Sequence, residues 1–579
     1  MSPRSICTLV LIFCTAGIGS AQTAKDPLRF VPSHAEAVAK IDRPRELLET
    51  VLQNELFQQA QKLAGVREYY DSTNFQRVYQ LIAYFEKQLG KTKEELLDEL
   101  GAGGIVVAAK FSEPGGVLLV MQAKDEAGLR RFVDLALDVI DKELDRQESK
   151  DRIVRTKYHG FDIGQIGPPK VSFAIADAAL LVASDDKVLK AALDALKNKE
   201  QKGIAQTEAF IDARKQAPKG AMAWAWLHLE QIREKNPNFK NGLDAAASDP
   251  FQMLIFGGLS NTLRRAPYLT VAVTRDGANY RLGFSMPRGR EGMGALSHML
   301  LPTDGNGTLP PLMPPRTISS TSYFLDLGRF WDKRVDILGA QNAKGLDEAE
   351  QNVAKFLGGI KLSKLLNAMG THHRVVVTQP KEHPYKVQPA QRFPSFALVV
   401  DMRDPSFAKD MNSIFRAGAL LATFSYGLNL RETKHNEYDM VSYYFSETKK
   451  VEGDPANLRF NFSPSYVTVG NQLVMSSSAE LARDLIDVLK AEKSAKANAA
   501  SMRTHVHASG LTAVIKANDD NILTQLILSQ ALPPNTAKKE LHAIIDWVEQ
   551  LGSLRVEQTY GGTDFRYEIL WQPKEPRTK

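Results

Sequence analysis

The chain has 579 residues, 43% hydrophobic and 24% charged, a globular balance that excludes a mostly disordered, collagenous or disulfide-scaffold protein. At about 100–200 residues per domain, this length predicts two or more domains. The formal charge of +6 comes from basic residues interleaved with acidic ones, as at 197–202 and 490–496, which is solubility charge and not a nucleic-acid footprint.

Residues 1–21 have the pattern of a secretory leader. Arg4 supplies a positive start, an uncharged apolar run of 14 residues extends from Ile6 to Gly19, and Gly19-Ser20-Ala21 offers small side chains before a cut between Ala21 and Gln22. A membrane anchor is the competing reading, but about 20 apolar residues are needed to span a bilayer. Lipidation at Cys14 is disfavoured by Phe13, which stands where such leaders carry a small residue. Both cysteines, Cys7 and Cys14, lie in this segment, so the mature chain is expected to be cysteine-free, without disulfides, thiol nucleophiles or Cys–metal sites. No second run approaches membrane length, so no transmembrane segment is expected after cleavage. An exported chain would rarely meet nucleic acid.

Next comes a helical insert at 53–101. Phe75, Val78, Ile82, Phe85 and Leu89 share one helical face. Thr73 with Gln76 and Thr92 with Glu95 have capping-box spacing, and Gly90 and Gly101 stand where C-terminal caps belong. After it a strand-then-helix unit recurs. Val117–Ala123 leads to Asp125 and a helix carrying Leu129, Phe132, Val133, Leu135 and Ile140. The strands 173–176 and 179–183 form a hairpin across Asp177-Ala178, and Ser184 or Asp185 starts the next helix. Ala397–Val400 leads to Asp404-Pro405, and Leu511–Ile515, read as a strand, leads to Asn518-Asp519-Asp520. Polar residues at helix starts accept orphan backbone N–H groups, so each has a structural task before any catalytic one.

Four anchors recur in order, at offsets between 269 and 293. Residues 37–42 match 321–326, Leu96-Leu97 before Gly101 matches Leu365-Leu366 before Gly370, the hairpin and helix 173–196 match 466–489, and the hairpin 268–286, turning at Asp276-Gly277, matches the hairpin 553–571, turning at Gly561-Gly562. The fold expected is α+β: two related lobes from an internal duplication, each an antiparallel sheet covered by helices. The expected domains are a leader (1–21), a first repeat (22–301), a Pro/Gly-rich linker (302–316), a second repeat (317–573) and a basic tail (574–579). Six prolines and five glycines between Pro287 and Pro315 mark the junction. A second irregular stretch, 379–393, replaces the tight turn at 113–116 and reads as a long hairpin loop.

The opening strand "VPSHAEAVAKID" (31–42) and the hairpin–helix at 171–196, "FAIADAALLVASDDKVLKAALDAL" from Phe173 onward, resemble an uncharacterised family of secreted bacterial proteins known as a domain of unknown function. The resemblance implies export and an α+β repeat. It supplies no activity and no site residues.

Chemistry-bearing motifs are sparse. Ser184-x-x-Lys187 imitates a serine–lysine nucleophile, but Ser406-x-x-Lys409 and Ser446-x-x-Lys449 fit equally, and the companion motifs are absent. Ser477 with Glu480 reads as a capping box. Residues 257–262 miss a nucleophile elbow because Thr262 replaces the second glycine. Gly101 to Gly104 follow a helix, the wrong order for a dinucleotide loop. His372-His373 and the same-face pair His505 and His507 lack an evident third metal ligand. Trp224, Trp226 and His228 share a strand face and read as sheet packing. No catalytic, cofactor-binding or metal residue is therefore assigned, and no cofactor is expected. The function expected is a non-enzymatic envelope or extracellular scaffold that binds an unknown protein or small-molecule partner in the periplasm or outside the cell. The alternatives are a hydrolase with a site between the lobes and a carrier of an apolar ligand.

Overall fold

The computed structural model describes residues 25–52, 54–167, 171–197, 203–248, 250–294, 299–300, 307–492 and 500–574. The leader with its Ala21/Gln22 cut, both cysteines, part of the predicted linker and all but the first residue of the basic tail lie outside these. The chain forms two compact units, one from Met1–Lys240 and Ala266–Pro287, the other from Asn241–Arg265 and Arg288–Lys579.

The first unit contains β1 (Ala37–Ile41), β2 (Ile105–Lys110), β3 (Gly116–Gln122), β4 (Val154–Tyr158), β5 (Phe161–Ile166), β6 (Val171–Ala176), β7 (Ala179–Ala183), β8 (Ala223–Leu227), β9 (Leu269–Asp276) and β10 (Asn279–Met286). Every pairing is antiparallel, in the order β4-β5-β6-β7-β3-β2-β1-β8-β9-β10. The β6–β7 turn places Asp177 and Ala178 at φ 52° and 58°, the paired left-handed conformation of a tight hairpin. The second unit contains β11 (Thr317–Phe324), β12 (Met369–Thr378), β13 (Ser395–Met402), β14 (Leu428–His435), β15 (Tyr438–Phe445), β16 (Ser465–Val469), β17 (Gln472–Ser476), β18 (Ala500–His507), β19 (Ser553–Gly561) and β20 (Asp564–Gln572). Its antiparallel order is β14-β15-β16-β17-β13-β12-β11-β18-β19-β20.

The helices used below are α1 (Thr73–Leu89), α2 (Lys93–Leu100), α3 (Glu126–Arg146), α4 (Asp186–Lys197), α5 (Pro250–Arg265), α6 (Leu362–Ala368), α7 (Ser406–Tyr426), α8 (Ala479–Ala491), α9 (Ala508–Ala517) and α10 (Asp519–Gln530). The central strands of each sheet are covered on both faces, which is why they read as continuous apolar runs. On β3, Leu118 and Val120 enter a core with Leu189 of α4, whereas Leu119 and Met121 enter a core with Leu129 and Phe132 of α3. The second unit repeats this division: Val399 packs with Leu481 and Leu485 of α8, and Val400 with Leu365 of α6 and Phe407 of α7. Within the predicted insert, helices make up most of 55–100, and Phe85 of α1 lies 5.1 Å from Phe132 of α3, ring to ring.

Several local readings are corrected. Leu511–Ile515 is helical, inside α9, because a five-residue apolar run has no periodicity of its own and follows a strand that has already ended at His507. Ser72, not Thr73, caps α1 by accepting from the Phe75 N–H. The Thr92–Glu95 capping box is present as read. Asp185 caps α4, accepting from Lys187 and Val188 at 2.8 and 3.0 Å. Ser478, not Ser477, caps α8, so Glu480 is released from the capping-box role. The 379–394 segment does join β12 to β13, as the loop reading requires. Residues 307–314 carry neither helix nor strand, yet Thr308 and Leu312 are buried in the second unit.

Candidate functional site

The long β12–β13 loop is pinned throughout. Glu480, at the start of α8, accepts from the backbone N–H groups of Lys381 (3.1 Å) and Glu382 (2.9 Å) and pairs with Arg316, which also donates to the Gln379 carbonyl at 2.9 Å. Tyr385 is buried; its hydroxyl donates to the Phe462 carbonyl (2.7 Å) and accepts from the Phe445 N–H (3.1 Å), and burial pushes its pKa up to about 12. Glu447 takes the Val387 N–H at 2.8 Å.

Between loop and helix lies a cavity of about 120 Å³ lined by His383, Tyr444, Phe460, Ser478 and Arg483, among others. Burial, reinforced by Arg392 and opposed by Glu480, holds the His383 imidazole below its ordinary pKa. The other polar groups are engaged structurally. Ser463 accepts from the Ala479 N–H at 2.9 Å, Ser478 caps α8, and Arg483 pairs with Glu382 at 2.7 Å.

The first unit has a cavity of the same size at the corresponding place, where the β2–β3 turn meets α4, lined by His34, Lys110, Pro114, Lys187 and Val188. Its turn is held by Glu36, which is fully buried and accepts from the Phe111 and Ser112 N–H groups at 2.7 and 2.9 Å and from the Ser112 hydroxyl. Burial would raise the Glu36 pKa, but these hydrogen bonds outweigh it and leave the carboxyl below its ordinary value. Each cavity has room for a few waters, well under the roughly 300–1,000 Å³ of a small-molecule site.

The residues singled out in the sequence are dispersed. Ser184 and Val117 exchange hydrogen bonds: the Val117 N–H donates to the Ser184 hydroxyl at 3.0 Å, and the Ser184 N–H donates to the Val117 carbonyl at 2.9 Å. Ser477 makes the same exchange with Phe396, at 2.9 and 2.8 Å. The Ser406 N–H donates to Asp404, and Ser446 bonds Thr448. Residues 257–262 lie inside α5, with no strand before them to form an elbow. Gly101 ends α2. Trp224 and Trp226 each pack 5.3 Å from Phe210, and His228 stacks on Trp226 at 5.1 Å. His505 and His507 share a face of β18, their rings 6.5 Å apart. Among the described residues no group of three or more His, Cys, Asp or Glu is placed to hold a metal ion.

The helix expected after Asp404-Pro405 is α7, but sequence reasoning missed its exposed apolar face. Its first turns bury Phe407, but its second half carries Leu420, Leu421 and Phe424 at 63%, 73% and 77% exposure, followed by exposed Tyr426 and by Leu430 on β14. The signal was available: residues 411–431 include two arginines and no carboxylate. On α3, which follows β3 as α7 follows β13, the exposed positions instead carry Arg130, Asp134, Asp138 and Lys142.

Residues 82–257 match the family described as a protein of unknown function, DUF3352. The chain thus resembles a domain-of-unknown-function family over a stretch that contains the hairpin–helix at 171–196 and excludes the opening strand at 31–42. No curated protein matches. Among solved structures, crystal form I of TP0453 is similar at 13% identity and a TM-score of 0.24, covering 46% of this chain and 79% of that one. Crystal form IV of TP0453 gives 11% and 0.25, covering 48% and 85%. Among the described residues no helix is long and apolar enough to cross a membrane.

Proposed function

We propose that this chain is an exported protein of two copies of one α+β module, 22–301 and 317–573, joined by 302–316, and that it works by binding at a surface. The leader-like residues 1–21 support export. The common order of ten antiparallel strands supports duplication, as does the shared work of corresponding residues: Ser184 and Ser477 tie the helix start to the neighbouring strand, and Asp185 and Ser478 cap the helix.

The observation that carries the binding reading is the bare apolar half of α7. Soluble proteins bury such rows of leucine and phenylalanine unless they serve as contact surfaces. The corresponding helix α3 shows the alternative within the same chain, with charge outward and its apolar face covered by α1 and α2. The test is covalent surface labelling of the protein in its native envelope fraction beside the purified protein. The reading expects 417–430 to be labelled when purified and shielded in place, with a native N-terminus at Gln22. Equal labelling contradicts the binding surface, and a native chain starting at Met1 contradicts export.

A further inference from the structure

We infer that the second half of α7, with the start of β14, seats on an anionic lipid surface. This rests on reading that ridge as the binding surface and names what it binds. Leu420, Leu421 and Phe424 stand at i, i+1 and i+4, on one side of the helix. Gly427, at φ +66°, then turns the chain so that Leu430 follows on β14. The ridge is therefore a helix end and a strand start rather than a groove, a shape suited to pressing into a soft layer. The described residues contain no helix able to cross a bilayer, so the element lies on the surface, its apolar side sunk roughly 5–10 Å.

Charge decides the occupant. From Met411 to Arg431 the charged residues are Arg416 and Arg431. Arg416 pairs with Glu432, the carboxylate that follows this window, while the Arg431 guanidinium stands 4.3 Å over the Tyr444 ring. Lys449 donates to the Phe424 carbonyl, placing an ammonium at the C-terminal end of the ridge. A second copy docked by a two-fold axis would bring the cations of Arg431 and Lys449 toward their own copies. Anionic headgroups meet them with opposite charge while the acyl region receives Leu421 and Phe424. Tyr426, at the ridge's end, has the amphipathic ring favoured at a lipid–water boundary.

The experiment is flotation of the full chain with phosphatidylcholine vesicles and with vesicles containing phosphatidylglycerol. The protein should float with the anionic vesicles and only weakly with the neutral ones, and added salt should reduce the difference. The double variant Leu421→Ser/Phe424→Ser should lose binding by about tenfold or more. These side chains are exposed, so the variant should fold; circular dichroism checks this. Phe356→Ser, at a residue 88% exposed on another helix, should bind as the unaltered chain does. Absence of anionic-vesicle binding, or undiminished binding by the double variant, overturns the inference. If vesicles fail while 417–430 remains shielded in the envelope, the lipid assignment falls and the binding reading stands. A dimer in ultracentrifugation that Phe424→Ser dissolves assigns the ridge to a second copy and likewise overturns the lipid assignment.

Discussion

Glu36 is a carboxylate with no solvent exposure, held by three hydrogen bonds from residues 111–112. Its folded pKa lies below its ordinary value. Its stabilisation is therefore complete above the carboxylate range of the unfolded chain and is lost as pH falls through the lower folded value. Glu36→Gln should cost about 1.5–3 kcal/mol near neutrality, since charge-assisted bonds are replaced by weaker ones. The gap should close in acid, which urea melts at a series of pH values would show. Asp185→Ala should cost about 1 kcal/mol as a lost cap. Ser184→Ala should cost less, because the Val117 N–H it leaves lies at an exposed strand end; thermal melts separate the two. Capping chemistry was legible in the sequence to within one residue: Ser184 or Asp185 was the choice, and only the geometry shows that the serine bonds a neighbouring strand instead. Glu36 was not legible, because its partners lie 75 and 76 residues away.

Helix α9 shows why short apolar runs mislead at the scale of elements. Leu511–Ile515 suits a strand by composition, but Gly510 identifies a helix pressed onto β11. A Cβ at Gly510 would lie 2.5 Å from the Thr317 carbonyl oxygen and 2.6 Å from the Ile318 Cα. Gly510→Ala should therefore destabilise by about 1–3 kcal/mol through overpacking. Gly418→Ala in α7, with nothing within 4 Å, should stabilise by roughly 1 kcal/mol, because alanine favours a helix interior. Chemical denaturation of the two variants tests both signs. The exposed half of α7 escaped sequence reading because a face is classed as core or surface only once its neighbours are known. Val78, Ile82 and Phe85 on α1 look no more apolar in sequence than Leu420, Leu421 and Phe424, yet α1 meets α3 through Phe85.

For the whole molecule, the hairpins β6–β7, β9–β10, β16–β17 and β19–β20 were visible locally, whereas the insertion of β3 beside β7 and of β13 beside β17 was not. Those pairings join strands more than fifty residues apart in the chain, and no turn chemistry announces them. They are also where the two-copy account makes its sharpest demand, because Leu118 opposite Ala183 corresponds to Ala397 opposite Ser476. Each pair sits one residue in from the Ser184–Val117 and Ser477–Phe396 exchanges, at the closely spaced positions of an antiparallel ladder, within reach of a disulfide. Both native cysteines lie within the first 21 residues, so in a chain expressed from Gln22 onward the introduced cysteines would report cleanly. The decisive measurement is the yield of disulfide from Leu118→Cys/Ala183→Cys and from Ala397→Cys/Ser476→Cys under mild oxidation, read by peptide mass spectrometry. Two copies of one fold predict that both pairs close readily and to a similar extent; closure of one pair with the other remaining reduced in a folded protein would contradict the account.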